Sequence, residues 1–173
     1  MQTIPVQYTD RIHGFQGRFL KVACADCTAR REEMAHILAF CVSNQLAAIE
    51  SALPGSEAFA WSDMFDPHHN AVADYYQAAG SYVGAGSLIP SSLGIACWNS
   101  GIMEKSLGYF SKRGHKTLGC GYYDDTERPY AASQAWLDAG YKTPNNVGIM
   151  YTTWKNDFSF LPGTAALKPA NRP

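Results

Sequence analysis

Trp61-Ser62-Asp63-Met64-Phe65-Asp66-Pro67-His68-His69-Asn70 places two carboxylates, two imidazoles and an amide directly behind a tryptophan. Paired carboxyl groups suit general acid and base work, one protonated toward a leaving group while the other stays ionised. Imidazoles move protons or ligate metals near neutral pH. Aromatic faces combined with a few polar groups hold sugars and other flat ligands. The pattern recurs. Ile95-Ala96-Cys97-Trp98-Asn99, Leu118-Gly119-Cys120-Gly121-Tyr122-Tyr123-Asp124 and Val147-Gly148-Ile149-Met150-Tyr151-Thr152-Thr153-Trp154 each run from apolar residues into aromatic and polar ones. Asp63 and Asp124 are therefore the candidate catalytic groups. Trp61, Asp66, His69, Asn70, Trp98, Asn99, Tyr122, Tyr123, Tyr151 and Trp154 are the candidate substrate-binding groups. A plainer role stays open for each aspartate, as a cap for the following helix or an acceptor for loop amides. Adjacent histidines leave regular structure in different directions, so His68 and His69 do not both face one site.

Other chemistries find less support. No glycine-rich dinucleotide fingerprint or Walker-type loop occurs, and Gly80 to Gly86 is followed by Ser87-Leu88 rather than by Lys and Ser or Thr. No G-x-S-x-G elbow occurs either. Cys97 precedes Trp98 and Asn99, but a thiol inside an apolar strand reads as packing rather than as a nucleophile. Cys24 and Cys27 form one Cys-x-x-Cys pair, weak evidence for zinc without a second pair; His13 and His36 could complete a four-ligand set, but two thiols packed beside the core at a helix start are the plainer reading. No metal and no cofactor is expected. Cys41, Cys97 and Cys120 read as buried free thiols.

Such clusters need apolar elements to position them. Phe19 to Ala23 is a candidate short strand. Thr28 is a candidate N-cap for a helix that carries Glu32 and Glu33 in its first turn. Met34, Ile37, Leu38, Cys41, Gln45 and Ile49 trace its inner face, and Leu53-Pro54-Gly55 stops it. Strands are predicted over Glu57–Trp61, Leu93–Trp98, Lys116–Tyr122 and Val147–Thr152. Between them the spacing predicts a helix through Val72, Tyr75 and Tyr76 to Gly80, then a loop from Ser81 to Ser92. A second helix is capped by Ser100 and buries Ile102, Met103, Leu107 and Phe110 as far as Gly114. A third runs from Thr126 through Tyr130, Ala131, Gln134 and Leu137 to Gly140. Leu161 to Pro173 shows little pattern. Strands alternating with helices form parallel sheets, and nearly all-apolar strands suit a sheet buried on both faces. Ligands bind such folds at the carboxyl ends of the strands, where the polar residues sit here. One α/β domain is expected over residues 1–173, with its core at about 19–158 and a tail at 159–173.

Composition narrows the function classes. The net charge is −1, with no basic run longer than Arg30-Arg31, which argues against a nucleic-acid partner. No apolar stretch approaches the roughly 20 residues of a membrane span, and Met1 to Asp10 is polar and holds Pro5, unlike a secretory leader. A cytoplasmic location is the expectation.

The assembled residues resemble the C-terminal half of a (β/α)8 TIM-barrel catalytic domain of glycoside hydrolase family 20, the β-N-acetylhexosaminidase type. The matching pieces are Trp61 to Asn70, Trp98-Asn99, Arg113-Gly114-His115, Gly121-Tyr122-Tyr123-Asp124 and Met150-Tyr151-Thr152-Thr153-Trp154. They cover roughly Cys24 to Phe158, and the first and last are the most specific. The resemblance implies a partial barrel directed at an N-acetylhexosamine-type carbohydrate, with the tryptophans packed around the acetamido-bearing ring. Such enzymes carry an adjacent Asp-Glu pair, the Glu as general acid and the Asp orienting the acetamido group. This chain has no Asp-Glu dipeptide, and reads Phe15-Gln16-Gly17-Arg18-Phe19-Leu20 where the pair would fall. Three readings follow. The chain is a truncated barrel fragment or carbohydrate-binding domain without catalysis; or it is a half-barrel subunit that completes its site with a second copy or another chain; or it is a different α/β enzyme using Asp63 and Asp124. On this footing Trp61 to Asn70 grips rather than cuts, Trp61 by ring contact and Asp63 through hydroxyl groups.

Overall fold

The computed structural model describes residues 34–73, 75 and 81–170. The predicted strand at Phe19–Ala23, the Thr28 cap, and Cys24 with Cys27 lie outside them. Helix α1 (Met34–Ala52) leads into β1 (Phe59–Trp61). A one-turn α2 (Ala85–Leu88) precedes β2 (Gly94–Cys97), and a 3₁₀ turn at Ser100–Ile102 opens into α3 (Met103–Ser111). Then come β3 (Thr117–Tyr122), α4 (Ala131–Tyr141), β4 (Asn146–Thr152) and a short α5 (Leu161–Ala165). The four strands form one sheet in the sequential order β1-β2-β3-β4. Every pairing is parallel, with Trp61 beside Ala96, Cys97 beside Gly119 and Gly121 beside Tyr151. The expected α/β architecture of parallel strands alternating with helices is therefore present.

The helices pack where the strands let them come close. Leu107 and Phe110 of α3 and Trp136 of α4 are fully buried with Ile95 and Cys97 of β2. Gly119 and Gly121 look like weak strand formers, yet they are the reason α4 fits. A Cβ at Gly119 would lie 2.9 Å from the Trp136 Cβ, and one at Gly121 would lie 2.6 Å from the Ser133 Cα. Strand alternation sends Phe59, Trp61, Leu118 and Met150 toward the other face of the sheet, where all four are half-buried.

Several expectations need correction. Helix α1 buries Ala35, Ala39 and Val42, while Cys41 is exposed. The buried stripe is rotated by about one residue, because small side chains let the helix approach the core. Residues 72 and 73 are bend and turn, and 71 and 75 are irregular, rather than helix. Their backbone is tied by turn bonds from Val72 N–H to the Asn70 carbonyl and Ala71 N–H to the Asp66 carbonyl. The rest of that predicted helix lies outside the described residues. The predicted loop Ser81–Ser92 contains α2, and the patternless tail contains α5. The cap of the 3₁₀ turn is Asn99, which accepts from Gly101 N–H at 3.1 Å, not Ser100. Helix α4 begins five residues later than Thr126, at Ala131, since Asp125 accepts Arg128 N–H in a turn and Pro129 follows. Its inner face is Ser133, Trp136, Ala139 and Gly140, not Tyr130, Gln134 and Leu137. Burial on both faces holds for β2, whereas β1 and β4 are half-buried edge strands. No helix among the described residues is long and apolar enough to cross a membrane.

Candidate functional site at the carboxyl ends of the strands

The β1–β2 hydrogen bonding runs on to Ser62, whose N–H reaches the Ala96 carbonyl at 3.0 Å. The chain then closes into turns. Phe65 and Asp66 N–H bond the Ser62 carbonyl, Asn70 N–H bonds the Asp63 carbonyl, and His69 N–H bonds the Asp66 carbonyl. Asp66 lies inside this knot, fully buried, with Oδ1 accepting from His68 N–H at 2.8 Å. That is an Asx turn, a local alternative to regular structure that aspartate offers readily. Asp66 Oδ2 and His69 Nδ1 are buried with no hydrogen-bond partner among the described residues.

Asp63 faces the opposite way, toward β2. Its Oδ1 accepts a long bond from Trp98 Nε1 at 3.4 Å, and the His69 ring stands edge-on to Trp98 with centroids 5.0 Å apart. Tyr123 carries the contact onward, its hydroxyl donating to the Trp98 carbonyl at 3.2 Å and its N–H to the Thr152 carbonyl at 3.0 Å. Asp124 then ties β3 to the exit of β4, accepting from the Thr153 hydroxyl at 2.5 Å and from Trp154 N–H at 2.8 Å. The structure thus joins Asp63, His69, Trp98, Tyr123, Asp124 and Trp154 into one rim. Two of its tryptophans are open to solvent, Trp98 at 36% and Trp154 at 66% relative exposure.

The remaining predicted site residues take other places. Trp61 sits half-buried at the end of β1 opposite Ala96, and Asn70 is half-buried in the turn behind Asp63. The Asn99 side chain is occupied by its capping bond. Tyr122 and Tyr151 stack on each other with centroids 4.6 Å apart and planes 12° apart. Both are held by Asp157, which accepts from the Tyr122 hydroxyl at its carboxylate and from the Tyr151 hydroxyl at its backbone carbonyl. Asp157 was not legible as a site residue. Asn156 just before it, at φ 57°, and Ser159 two positions later, bonding back through its amide and hydroxyl, are local signals of a turn there.

Electrostatics separates the aspartates. Burial pushes the Asp124 carboxyl up, but the Thr153 hydroxyl, the Trp154 and Lys155 amides and the Lys155 charge outweigh it and leave the group below the usual carboxylate range. The Ser159 hydroxyl and amide, with the Tyr122 hydroxyl, hold Asp157 low in the same way. Asp124 is therefore an ionised strut with both oxygens engaged, poorly suited to deliver a proton. Burial, helped by the Asp66 charge and opposed by a Ser62 hydrogen bond, pushes the Cys97 thiol up to about 12. Burial also raises Cys120. Reactivity follows the thiolate, so maleimide at pH 7 should label the exposed Cys41 and leave Cys97 and Cys120 unmodified by peptide mass mapping. Labelling of Cys97 in the folded protein would contradict this packing.

Three successive non-glycine residues hold left-handed backbone here: Tyr122 (φ 83°), Tyr123 (φ 58°) and Asp124 (φ 62°). Each such residue costs about 1–2 kcal/mol, more for bulky side chains than for aspartate. The turn is held by the Tyr122 hydroxyl on Asp157, the Tyr151 stack and the two Asp124 bonds. Strain persists only where the surroundings over-determine it, and such positions gather at functional sites. Comparison with models of protein families, with curated proteins and with solved structures found no match.

Proposed function

We propose that the carboxyl-end rim is a carbohydrate-binding face, directed at an N-acetylhexosamine-type sugar, which this chain grips without hydrolysing. The observation that carries the reading is Trp98. It is partly exposed, with its indole N–H on Asp63 and its ring braced by His69. A braced aromatic face beside a carboxylate suits a pyranose, whose C–H face stacks while its hydroxyl groups donate to the acid. Asp63 Oδ2 accepts no hydrogen bond among the described residues. Trp154 offers a second face at the far end of the same rim.

Hydrolysis finds no matching support. A glycosidase needs one carboxyl group kept protonated near neutral pH. Asp124 is held low, Asp66 is fully buried inside its turn, and the sequence has no Asp-Glu pair. The sequential parallel sheet is the arrangement of half a (β/α)8 barrel, which favours the partial-barrel reading over an unrelated α/β enzyme.

Titration calorimetry with N-acetylglucosamine and N-acetylgalactosamine tests the proposal. Binding is expected for the native chain, reduced by about tenfold in Trp98→Ala, as loss of one aromatic stacking face produces. A smaller loss is expected in Asp63→Asn or Trp154→Ala. An aryl N-acetylhexosaminide should remain uncleaved. Absence of binding to any aminosugar, or equal binding by Trp98→Ala, would sink the assignment, and turnover by the isolated chain would refute its non-catalytic part.

A further inference from the structure

Arg113-Gly114-His115 takes no part in the rim. It lies at the opposite end of the sheet, just before β3, and lines a hollow of about 470 Å³ with Gly86, Ser87, Ile89 and Lys112. The lining contains no carboxylate. Lys116 and Arg128 pair with Glu57 and Asp125, whereas neither Lys112 nor Arg113 has an ion-pair partner among the described residues. Positive charge is gathered in a concavity with no carboxylate paired to it among the described residues.

The guanidinium is also fixed in advance. It lies 3.7 Å from the Tyr109 ring centroid, its Nε donates to Ser87 Oγ at 3.3 Å, and one terminal nitrogen donates to the Tyr109 carbonyl at 3.1 Å. Ser87 Oγ and the Tyr109 hydroxyl are 3.4 Å apart, closing the network on itself. Gly86 makes this possible, since a Cβ there would meet the Phe65 carbonyl at 2.3 Å and the Tyr109 ring at 2.8 Å. Arginine carries five N–H donors in a planar fork, so these contacts leave several unused. His115 is almost fully buried and its Nδ1 is 2.9 Å from the Leu93 carbonyl. A carbonyl only accepts, so Nδ1 carries the proton and the ring is locked in place where it lines the hollow.

The geometry points to an oxyanion site in this hollow, for a phosphate group either free or carried as a phosphate monoester. Arg113 supplies a preorganised fork, Lys112 a mobile point charge that complements a dianion, and His115 a fixed polar wall. Because the guanidinium is held before the ligand arrives, little side-chain entropy is lost on binding.

The test follows the His115 ring and Arg113 Nε–H signals by NMR while inorganic phosphate, phenyl phosphate or acetate is added at constant ionic strength. Saturable shifts are expected with both phosphates and weaker ones with acetate. Stronger binding of phenyl phosphate would assign the site to monoesters, and equal or weaker binding would assign it to free phosphate. Arg113→Gln and the exposed, unpaired Lys112→Ala should each weaken phosphate binding by about tenfold, the scale of a charge-assisted hydrogen bond. Arg128→Gln, on a paired arginine elsewhere, should change nothing. Shifts that never saturate, that persist in both hollow variants, or that sodium chloride reproduces would overturn the proposal. Thermal midpoints of all variants separate lost binding from lost fold.

Discussion

Trp136→Ala should lower the stability of the chain by about 3–5 kcal/mol, the cost of emptying a large aromatic site in a packed core. Against a typical domain stability of about 5–15 kcal/mol, that is a large part of the whole. The ring is fully buried in α4 and rests against the bare backbone of Gly119 in β3. Urea denaturation should show a much lower midpoint with an unchanged slope. Trp136→Phe should cost far less. It keeps most of the ring and deletes an indole N–H that is buried without a partner in the described structure. Gly119→Ala should cost about 1–3 kcal/mol by overpacking. It should be less than additive with Trp136→Ala, because two of the three closest contacts of the new Cβ are ring atoms. Additive losses, or a mild Trp136→Ala, would mean that α4 does not seat on β3 as described.

That packing shows how much of the fold was legible. Apolar runs between Gly and Pro marked all four strands within a few residues, and alternation with helices gave the parallel sheet. Helix faces were harder to read. Choosing the bulky face of α1 missed Ala35 and Ala39, and choosing Leu137 in α4 missed Trp136. The α4 error has a visible cause: burial there is set by how close the helix can approach the glycines of β3, which periodicity in the helix alone does not contain.

The grouping of part of the rim was legible, but not the contacts that each predicted residue makes. Trp98, Asp63, His69 and Tyr123 do meet, as their placement at successive strand ends suggested. Residues of the same types one or two positions away do structural work instead: Asp66 pins a turn, Asn99 caps one, and Tyr122 stacks on Tyr151. Left-handed backbone decides the case of the tyrosines. Strand alternation alone would send Tyr122 and Tyr123 to opposite faces, and positive φ at both abandons that rule. Nothing in a Tyr-Tyr-Asp sequence announces it, since glycine or asparagine is the usual mark of such a turn.

Asp124 is where this strain and the rim depend on one side chain, and three substitutions separate its roles. Asp124→Ala removes the acceptors of Thr153 and Trp154 and places a residue unsuited to positive φ at the end of the turn. It should free Trp154 and weaken aminosugar binding as much as Trp98→Ala does, by about tenfold. Asp124→Gly removes the same acceptors but accepts the left-handed backbone, so it should keep the Tyr123–Trp98 contact and lose only the Trp154 end of the rim. Asp124→Asn keeps an oxygen acceptor and tolerates the backbone, and should be the mildest. The pH dependence has a definite sign. A carboxyl held below its unfolded value, about 3.9 for aspartate, contributes its full stabilisation above that value and loses it as pH falls through the lower folded one. Trp154 fluorescence, isolated by difference from a Trp154→Phe chain, should therefore stay flat from neutral pH down to about 4 and change only below it. In Asp124→Asn that acid transition should be missing. If Asp124→Ala leaves both Trp154 fluorescence and sugar binding untouched, the strut is decorative and the rim is held by the stacked Tyr122 and Tyr151 alone.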